Sequence, residues 1–318
     1  MTRPVLIAEC CQNHNGDREI LKKMIHSAAE NGADFVKIQA IRSAELTHRQ
    51  RFDEGETAAD GTVKTIKRPY AHEFERLSQL DLSLDTEKWF VDECLAAGVA
   101  PMTTVFTWGG LFDVKDLGYE AVKVASYDCA SFPLLEELKK HWSTIFVSTG
   151  STYDEEIEKA AGILKGVDAH FLHCVTIYPT PMHELHLSRM NFLRKFTHQV
   201  GYSDHSKPAD TKLWASKLSL ALGASCVERH YTILEADQSK DGPVSITPSM
   251  LKELREFSDM TRKERMDSIS AEYPEWKEAL GNATRPLSHV ELLNRDYYRG
   301  RFASKQNGET VYNWEDWE

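Results

Sequence analysis

Short runs rich in Val, Ile, Ala and Phe alternate along this chain with longer stretches whose apolar positions recur at helical spacing. Eight of the short runs read as strands: Val5–Cys11, Phe35–Ala40, Ala100–Val105, Ala121–Ser126, Thr144–Thr149, Ala169–Val175, Gln199–Ser203 and Cys226–Tyr231. Most are nearly continuous in apolar residues. That is how strands covered on both faces look, and it implies a parallel sheet with crossover helices. The segments Asp17–Asn31, Thr86–Ala97, Leu134–Lys140, Tyr153–Lys165, Leu187–Phe196 and Pro208–Leu222 supply such helices. Strand–helix units repeated over about 260 residues match an α/β chain folded as a (β/α)8 TIM barrel. Seven of the strands also fit an open doubly wound sheet. Against that, no glycine-rich dinucleotide fingerprint follows the first strand, and polar residues end almost every strand, as they do where all strands feed one mouth.

Two segments break the rhythm. Residues 41–83 are long, charged and rich in Arg and Glu, and predict a βα-loop enlarged into a partial lid. Residues 261–318 begin as charged helix and end in Tyr297-Tyr298-Arg299-Gly300-Arg301-Phe302-Ala303 followed by Asn307-Gly308, a hairpin signal. A two-stranded ribbon does not stand alone, so this one is expected to dock on the barrel or on a partner chain. The domain reading is a catalytic barrel over 1–260 and a short helical and ribbon extension over 261–318.

Composition excludes some functions. The 38 basic and 49 acidic residues leave a net charge of −11 with no Lys/Arg block. Nucleic acid and anionic membranes are therefore disfavoured as partners, and an anionic ligand must meet local positive charge. No charged-then-apolar leader opens the chain, and no apolar stretch approaches the roughly 20 residues that cross a bilayer; a soluble, cytoplasmic protein is expected. Of six cysteines, Cys10, Cys11, Cys129, Cys174 and Cys226 lie in or beside apolar runs, as buried thiols do, and the absence of a CxxC pair indicates neither a zinc knuckle nor a redox site.

Candidate chemistry sits at the strand ends. Lys37 and Lys123 lie within strands, and a lysine pointing into a barrel needs an anion. An ion pair with Glu9 or Glu228 serves either lysine alone, whereas two on separate strands favour a phosphate or carboxylate pocket. Thr104, Ser126, Ser148, Thr149 with Gly150, and Ser203 are each ordinary cap residues singly and an oxyanion cradle together. His205 and His230 end neighbouring strands, where two imidazoles can converge on one metal, with Asp204 and Glu228 placed to support them. Glu9 is acidic inside an apolar strand, which suits a metal-linked or proton-transfer role slightly better than a salt bridge to Lys37. Asn13-His14-Asn15-Gly16-Asp17 reads as a turn with Asp17 as N-cap.

These residues together resemble a known family, the sialic acid synthases: N-acetylneuraminate synthase-like enzymes with pseudaminic, legionaminic and spore-coat polysaccharide relatives. The resemblance spans about residues 5–260. It rests on Ile7-Ala8-Glu9 with Asn13-His14-Asn15-Gly16-Asp17, Gly32-Ala33-Asp34 with Val36-Lys37-Ile38-Gln39, Lys123-Val124-Ala125-Ser126, and Ser148-Thr149-Gly150. Leu172-His173-Cys174 with Tyr178-Pro179-Thr180-Pro181, Gly201-Tyr202-Ser203-Asp204-His205, and Glu228-Arg229-His230-Tyr231-Thr232 follow in the same order.

The resemblance implies condensation of phosphoenolpyruvate with the aldehyde of an open-chain, N-acetylmannosamine-like sugar. Phosphate is released by C–O cleavage and the product is a nonulosonic acid. It also implies that His205 and His230 hold Mn²⁺ or Mg²⁺, and that Lys37, Thr104, Lys123, Ser126, Ser148 and Ser203 bind phosphoenolpyruvate. Glu9 and Glu228 would handle protons and orient ligands, while Gln39, Tyr178 and Asp241 would hold the sugar. Asp128 stands where the family usually has a sugar-contacting Glu, and Thr176 where an Asn often lies beside phosphoenolpyruvate; both changes reshape the pocket.

Full-length relatives carry an antifreeze-like domain of roughly sixty residues, which places an Arg over the sugar across a dimer. Residues 261–318 resemble its linker and first ribbon only, so Arg299, Arg301 or the 41–83 segment is expected to take that place. A homodimer is also expected. Rival readings are the same chemistry on another aldose, a pyruvate aldolase forming a Schiff base on Lys123, and a non-catalytic sugar-binding remnant.

Overall fold

The computed structural model describes residues 3–317. Eight parallel strands close into a barrel: Val5–Cys11, Phe35–Ala40, Ala100–Val105, Ala121–Val124, Thr144–Ser148, Asp168–His173, Val200–Asp204 and Cys226–His230. Each pairs with the next in the chain, and the eighth returns to the first, with Val5 opposite Cys226 and Glu9 opposite His230. The predicted strands and (β/α)8 architecture are all present, with ends shifted by one or two residues.

The connecting helices depart from expectation in three places. Trp108–Val114, between the third and fourth strands, escapes the pattern because Gly109-Gly110 lowers its helix propensity. It forms because Thr107 Oγ1 accepts the Gly110 N–H at 2.9 Å and because Trp108, Leu111 and Val114 are buried. The stretch read as one helix over Pro208–Leu222 is two, Pro208–Thr211 and Trp214–Ala221, broken at Lys212 with φ of 50°. The Leu187–Phe196 reading contracts to Arg189–Leu193.

Alternation along the strands builds the barrel interior in layers. Ile7, Met102, Ala121, Phe146, Leu172 and Cys226 pack into an apolar plug with Val5 and Phe35 against it. Two residues further along the same strands stand Glu9, Lys37, Thr104, Lys123, Ser148, Cys174 and Glu228, all buried. A dry floor therefore carries a polar layer, whose charges interact strongly because water is excluded beneath them. Outward-facing Ala8, Val36, Val122, Val147, Tyr202 and Val227 belong to the larger core under the helices.

Residues 41–83 are structured rather than a bare loop: helices Gln50–Glu54 and Tyr70–Ser78 flank a hairpin of Glu56–Thr57 and Val63–Thr65. The tail contributes helices Arg262–Glu272 and His289–Tyr298 and the ribbon Ser304–Gln306 with Glu309–Val311. That ribbon turns at Asn307 and Gly308, with φ of 51° and 87°, the left-handed pair its sequence calls for. Tyr297 and Tyr298 end a helix, a correction to their reading as part of the first ribbon arm. The ribbon docks on its own barrel, where Ser304 Oγ accepts the Gly109 N–H at 2.7 Å and the Ala303 N–H donates to the Glu45 carbonyl at 3.0 Å. Among the described residues, no helix is long and apolar enough to cross a membrane.

Candidate active site

The polar layer is organised around two lysines and two carboxylates. Lys37 Nζ touches the Glu9 carboxylate and donates to Thr104 Oγ1 at 2.8 Å. Lys123 Nζ donates to Ser148 Oγ at 2.6 Å and to the Val124 carbonyl at 3.2 Å. Between them stands Glu228, with Oε2 4.0 Å from Lys37 Nζ and 3.9 Å from Lys123 Nζ, and Oε1 accepting from Ser203 Oγ at 3.0 Å. Among the described residues, Glu228 Oε2 is buried with no hydrogen-bond partner. Burial opposes ionisation of Glu228, but Lys123, Lys37 and the Ser203 hydroxyl outweigh it and hold the carboxyl well below its usual range. Burial lowers the Lys37 ammonium, Glu228 counters this and Lys123 adds to it, leaving about 7; contact with Glu9 favours the charged form further.

The first strand shifts register between Glu9 and Cys11, and Cys11 takes φ of 48°. Such an irregularity re-aims a side chain, and here it brings the Cys11 thiol to Asp241 Oδ2 at 2.9 Å. Ligand atoms of Cys11, His230 and Asp241 all lie within 4.8 Å of one another. The Nδ1 of His230 is buried and unpartnered among the described residues, and imidazole nitrogen and carboxylate oxygen beside a sulfur are donor types that divalent first-row ions take. These residues therefore fit a metal. The expected pair changes in detail: His205 is not in this cluster, though its ring centre lies 5.8 Å from that of His230. His205 Nδ1–H donates to the Val175 carbonyl at 3.0 Å, which leaves Nε2 as the acceptor of Tyr178 O–H at 3.2 Å. Burial and His230 lower the His205 imidazole to about 4, so it is neutral near pH 7.

The other candidates divide. Ser126 Oγ meets Cys174 Sγ at 3.0 Å and accepts the Gly150 N–H at 3.2 Å. A Cβ at Gly150 would come within 2.6 Å of Cys174 Sγ, so only glycine permits this approach. Thr149 turns away from the cradle, its Oγ1 donating to the Leu172 carbonyl at 3.1 Å. Asp204 also leaves the site: Arg229 Nη1 sits 2.7 Å from Asp204 Oδ2 and Ser206 N–H donates to Oδ1, a buried structural pair rather than a metal support. Gln39 and Tyr178 are at the mouth, half-buried and exposed.

Asp128 and Thr176 face the tail. Asn313 Nδ2 donates to Asp128 Oδ1 at 2.7 Å, and burial raises the Asp128 carboxyl to about 6. Thr176 meets the Ser151 hydroxyl, while its carbonyl accepts from Asn294 Nδ2 at 2.7 Å. Arg299 Nη1 lies 3.3 Å from the Glu156 carboxylate, and its guanidinium sits over the Trp314 ring. Arg301 is buried against Glu73 of the 41–83 segment. Cys11 and Asn313 are the residues that sequence reasoning missed; only the adjacent cysteines at a strand end marked the first, and nothing marked the second.

Fold and site define a (β/α)8 barrel enzyme with a buried layer of cations and hydroxyls on an apolar floor and a candidate metal centre above that layer. The chain belongs to the NeuB family, whose model matches residues 24–268, and is an enzyme of the phosphoenolpyruvate-dependent, carbon–carbon bond-forming sialic acid synthase type. It is 31% identical to an N,N'-diacetyllegionaminic acid synthase of Campylobacter jejuni, over 96% of this chain and 86% of that one. To the human N-acetylneuraminate-9-phosphate synthase it is 28% identical over 78% of this chain and 67% of that one. A solved N-acetylneuraminic acid synthetase from Leptospira borgpetersenii, in complex with citrate, superposes with TM-score 0.71 at 26% identity, covering 93% of this chain and 91% of that one.

Proposed function

We propose that this enzyme condenses phosphoenolpyruvate with the aldehyde of an open-chain, N-acetylmannosamine-like sugar, releasing phosphate and forming a nonulosonic acid. The observation that carries the reading is Glu228 Oε2, without a hydrogen-bond partner among the described residues, set between the Lys37 and Lys123 ammonium groups and one layer below Cys11, His230 and Asp241.

Lys37 and Lys123 neutralise the carboxylate and phosphate of phosphoenolpyruvate, with Thr104, Ser126, Ser148 and Ser203 donating to its oxygens. C3 of the enol attacks the aldehyde carbon, whose oxygen becomes a hydroxyl with the proton that water gives up as it adds at C2; the C2–O bond to phosphate then breaks, the C2 hydroxyl proton leaving with the phosphate as the ketone forms. Glu228 Oε2 accepts the proton of that water. Glu9, tied to Lys37 and to the Cys11 N–H at 2.6 Å, positions the lysine and the bulge. His230 and Asp241, beside Cys11 and with the His205 ring centre 5.8 Å from that of His230, would hold a divalent ion, Mn²⁺ or Mg²⁺, which when bound supplies Lewis-acid polarisation of the aldehyde. Gln39 and Tyr178 are assigned to the sugar, as is Asp128, which lines a small cavity with Tyr127, Tyr298 and Asn313.

Phosphate release from phosphoenolpyruvate, assayed against a panel of aldehydes from short aldoses to N-acetylated hexosamines, tests the reading. Release that depends on the aldehyde is expected; no release with any aldehyde overturns it.

A further inference from the structure

The tail does more than cover the barrel. Asn313 sits in the turn after the ribbon, where the Glu315 N–H donates to the Tyr312 carbonyl at 2.9 Å and the Tyr312 N–H donates to Glu315 Oε2 at 2.8 Å. That turn is pinned to the barrel: Trp108 Nε1 donates to the Glu315 carbonyl at 3.3 Å, and Trp317 packs on Trp108 and Phe112. Asn313 itself is 3% exposed. Its Nδ2 has both hydrogens engaged, donating to the Phe106 carbonyl at 2.6 Å and to Asp128 Oδ1 at 2.7 Å. These two bonds fix which end of the amide is which, so Oδ1 is purely an acceptor. Among the described residues it is buried and has no donor.

A cavity of about 30 Å³ lies there, lined by Phe106, Tyr127, Asp128, Tyr298 and Asn313 among others. It has room for a hydroxyl-sized group and not for a whole sugar. The Tyr127 hydroxyl is a second buried polar atom without a hydrogen-bond partner among the described residues, and Ser131 O–H joins Asn313 on Asp128 Oδ1 at 3.1 Å. A buried acceptor left without a donor costs about 1–3 kcal/mol, so this cavity calls for a group that donates. It also borders the mouth. Tyr127 lies in the turn Ser126–Asp128 that follows the Lys123 strand, within electrostatic reach of Cys174 and of Tyr178, whose hydroxyl donates to His205 Nε2. The guanidinium of Arg301, also in the lining, and that of Arg299, which acts on Asp128, disfavour an ammonium as the donor. A neutral hydroxyl fits.

We infer that Asn313 is a specificity-determining residue that the tail supplies to the site of its own chain: its Oδ1 accepts from a hydroxyl of the acceptor sugar, with the Tyr127 hydroxyl and Asp128 around it. This rests on the reaction proposed above and specifies its substrate class, a sugar hydroxylated at the position that the cavity reads. A counterpart lacking that hydroxyl puts a C–H there and leaves the amide oxygen buried and unpaired, which is how a site built to hydrogen-bond one group rejects the analogue without it.

The test is calorimetric binding to the Mn²⁺-loaded enzyme saturated with phospholactate, an unreactive occupant of the inner lysines. The titrants are N-acetylmannosamine and mannose, each compared with its analogues that lack one hydroxyl. At least one deoxy analogue is expected to bind about tenfold or more weakly than its parent. That ratio should fall to about threefold or less in Asn313→Ala and in Tyr127→Phe. Tyr127→Phe removes only an oxygen that has no hydrogen-bond partner among the described residues and keeps the ring stacked on Tyr298, so it carries the test if Asn313→Ala does not fold. Equal affinity for every parent and its deoxy analogues overturns the inference. So does a ratio that survives both substitutions, even where Asn313→Ala lowers Tm, since that result marks a structural amide over a trapped water. Aldehyde-dependent phosphate release without this discrimination leaves the reaction standing and removes the role of Asn313; the discrimination without turnover does the reverse.

Discussion

Glu228 is the residue on which the chemistry turns, because it is buried, held ionised by two lysines and a serine, and still has an oxygen free of hydrogen bonds among the described residues. Glu228→Gln keeps the shape and removes the base. Steady-state kinetics should show kcat down by about 10²–10⁴, with KM for phosphoenolpyruvate unchanged or lower; wild-type kcat would exclude Glu228 as the base. Asp128 allows a different check. Its folded-state value, near 6 against an ordinary 3.8, means that the folded protein binds a proton the unfolded chain has released between those limits. Stability from this group is therefore present at low pH and lost as pH rises through 6. Relative to Asp128→Asn, wild-type unfolding free energy should fall by about 1 kcal/mol from pH 5 to pH 7 in urea titrations. A difference flat with pH would contradict this burial. Lys37, Lys123 and Glu228 were legible as polar residues in apolar strands. Cys11 was not, because its aim depends on a local register shift that composition does not encode.

At the scale of elements, the mouth is built by two segments that are far apart in sequence. Arg49 donates to the carbonyls of Tyr297 and Arg299 at 2.6 and 3.1 Å, Phe52 packs edge-on to Tyr297, and Thr47 Oγ1 donates to the Gly300 carbonyl at 2.7 Å. The tail is thus fastened over the barrel by the 41–83 segment. Arg49→Ala leaves buried carbonyls without their donor, at a cost of about 1–3 kcal/mol. Limited proteolysis should then cut residues 285–317 faster while the barrel stays intact; an unchanged digestion rate would show that the tail is held by other contacts. Strand positions were legible because period-2 and continuous apolar runs survive in sequence. Trp108–Val114 and the small elements of 41–83 were not, since a single cap or docking partner decides such short pieces. The contact of Asn313 with Asp128 joins residues 185 positions apart and has no local signature.

Over the whole molecule, an apolar floor, a charged layer and a mouth of metal-capable donors stack along one barrel axis. This order follows from alternation within each strand, which is why the barrel and most of its inner polar residues could be read before the fold was known. Removing metal should abolish turnover without unfolding the protein, because neither the apolar plug nor the core under the helices includes a residue of the cluster; circular dichroism after chelation would remain native. The most direct measurement follows phosphoenolpyruvate and phosphate together by ³¹P NMR with a saturating aldehyde sugar, first in chelator and then after Mn²⁺ is restored. Phosphoenolpyruvate loss matched one-for-one by phosphate, only with metal and sugar present and lost in Lys123→Met, is expected. Turnover that persists in chelator, or consumption of pyruvate in place of phosphoenolpyruvate with borohydride trapping on Lys123, would contradict it.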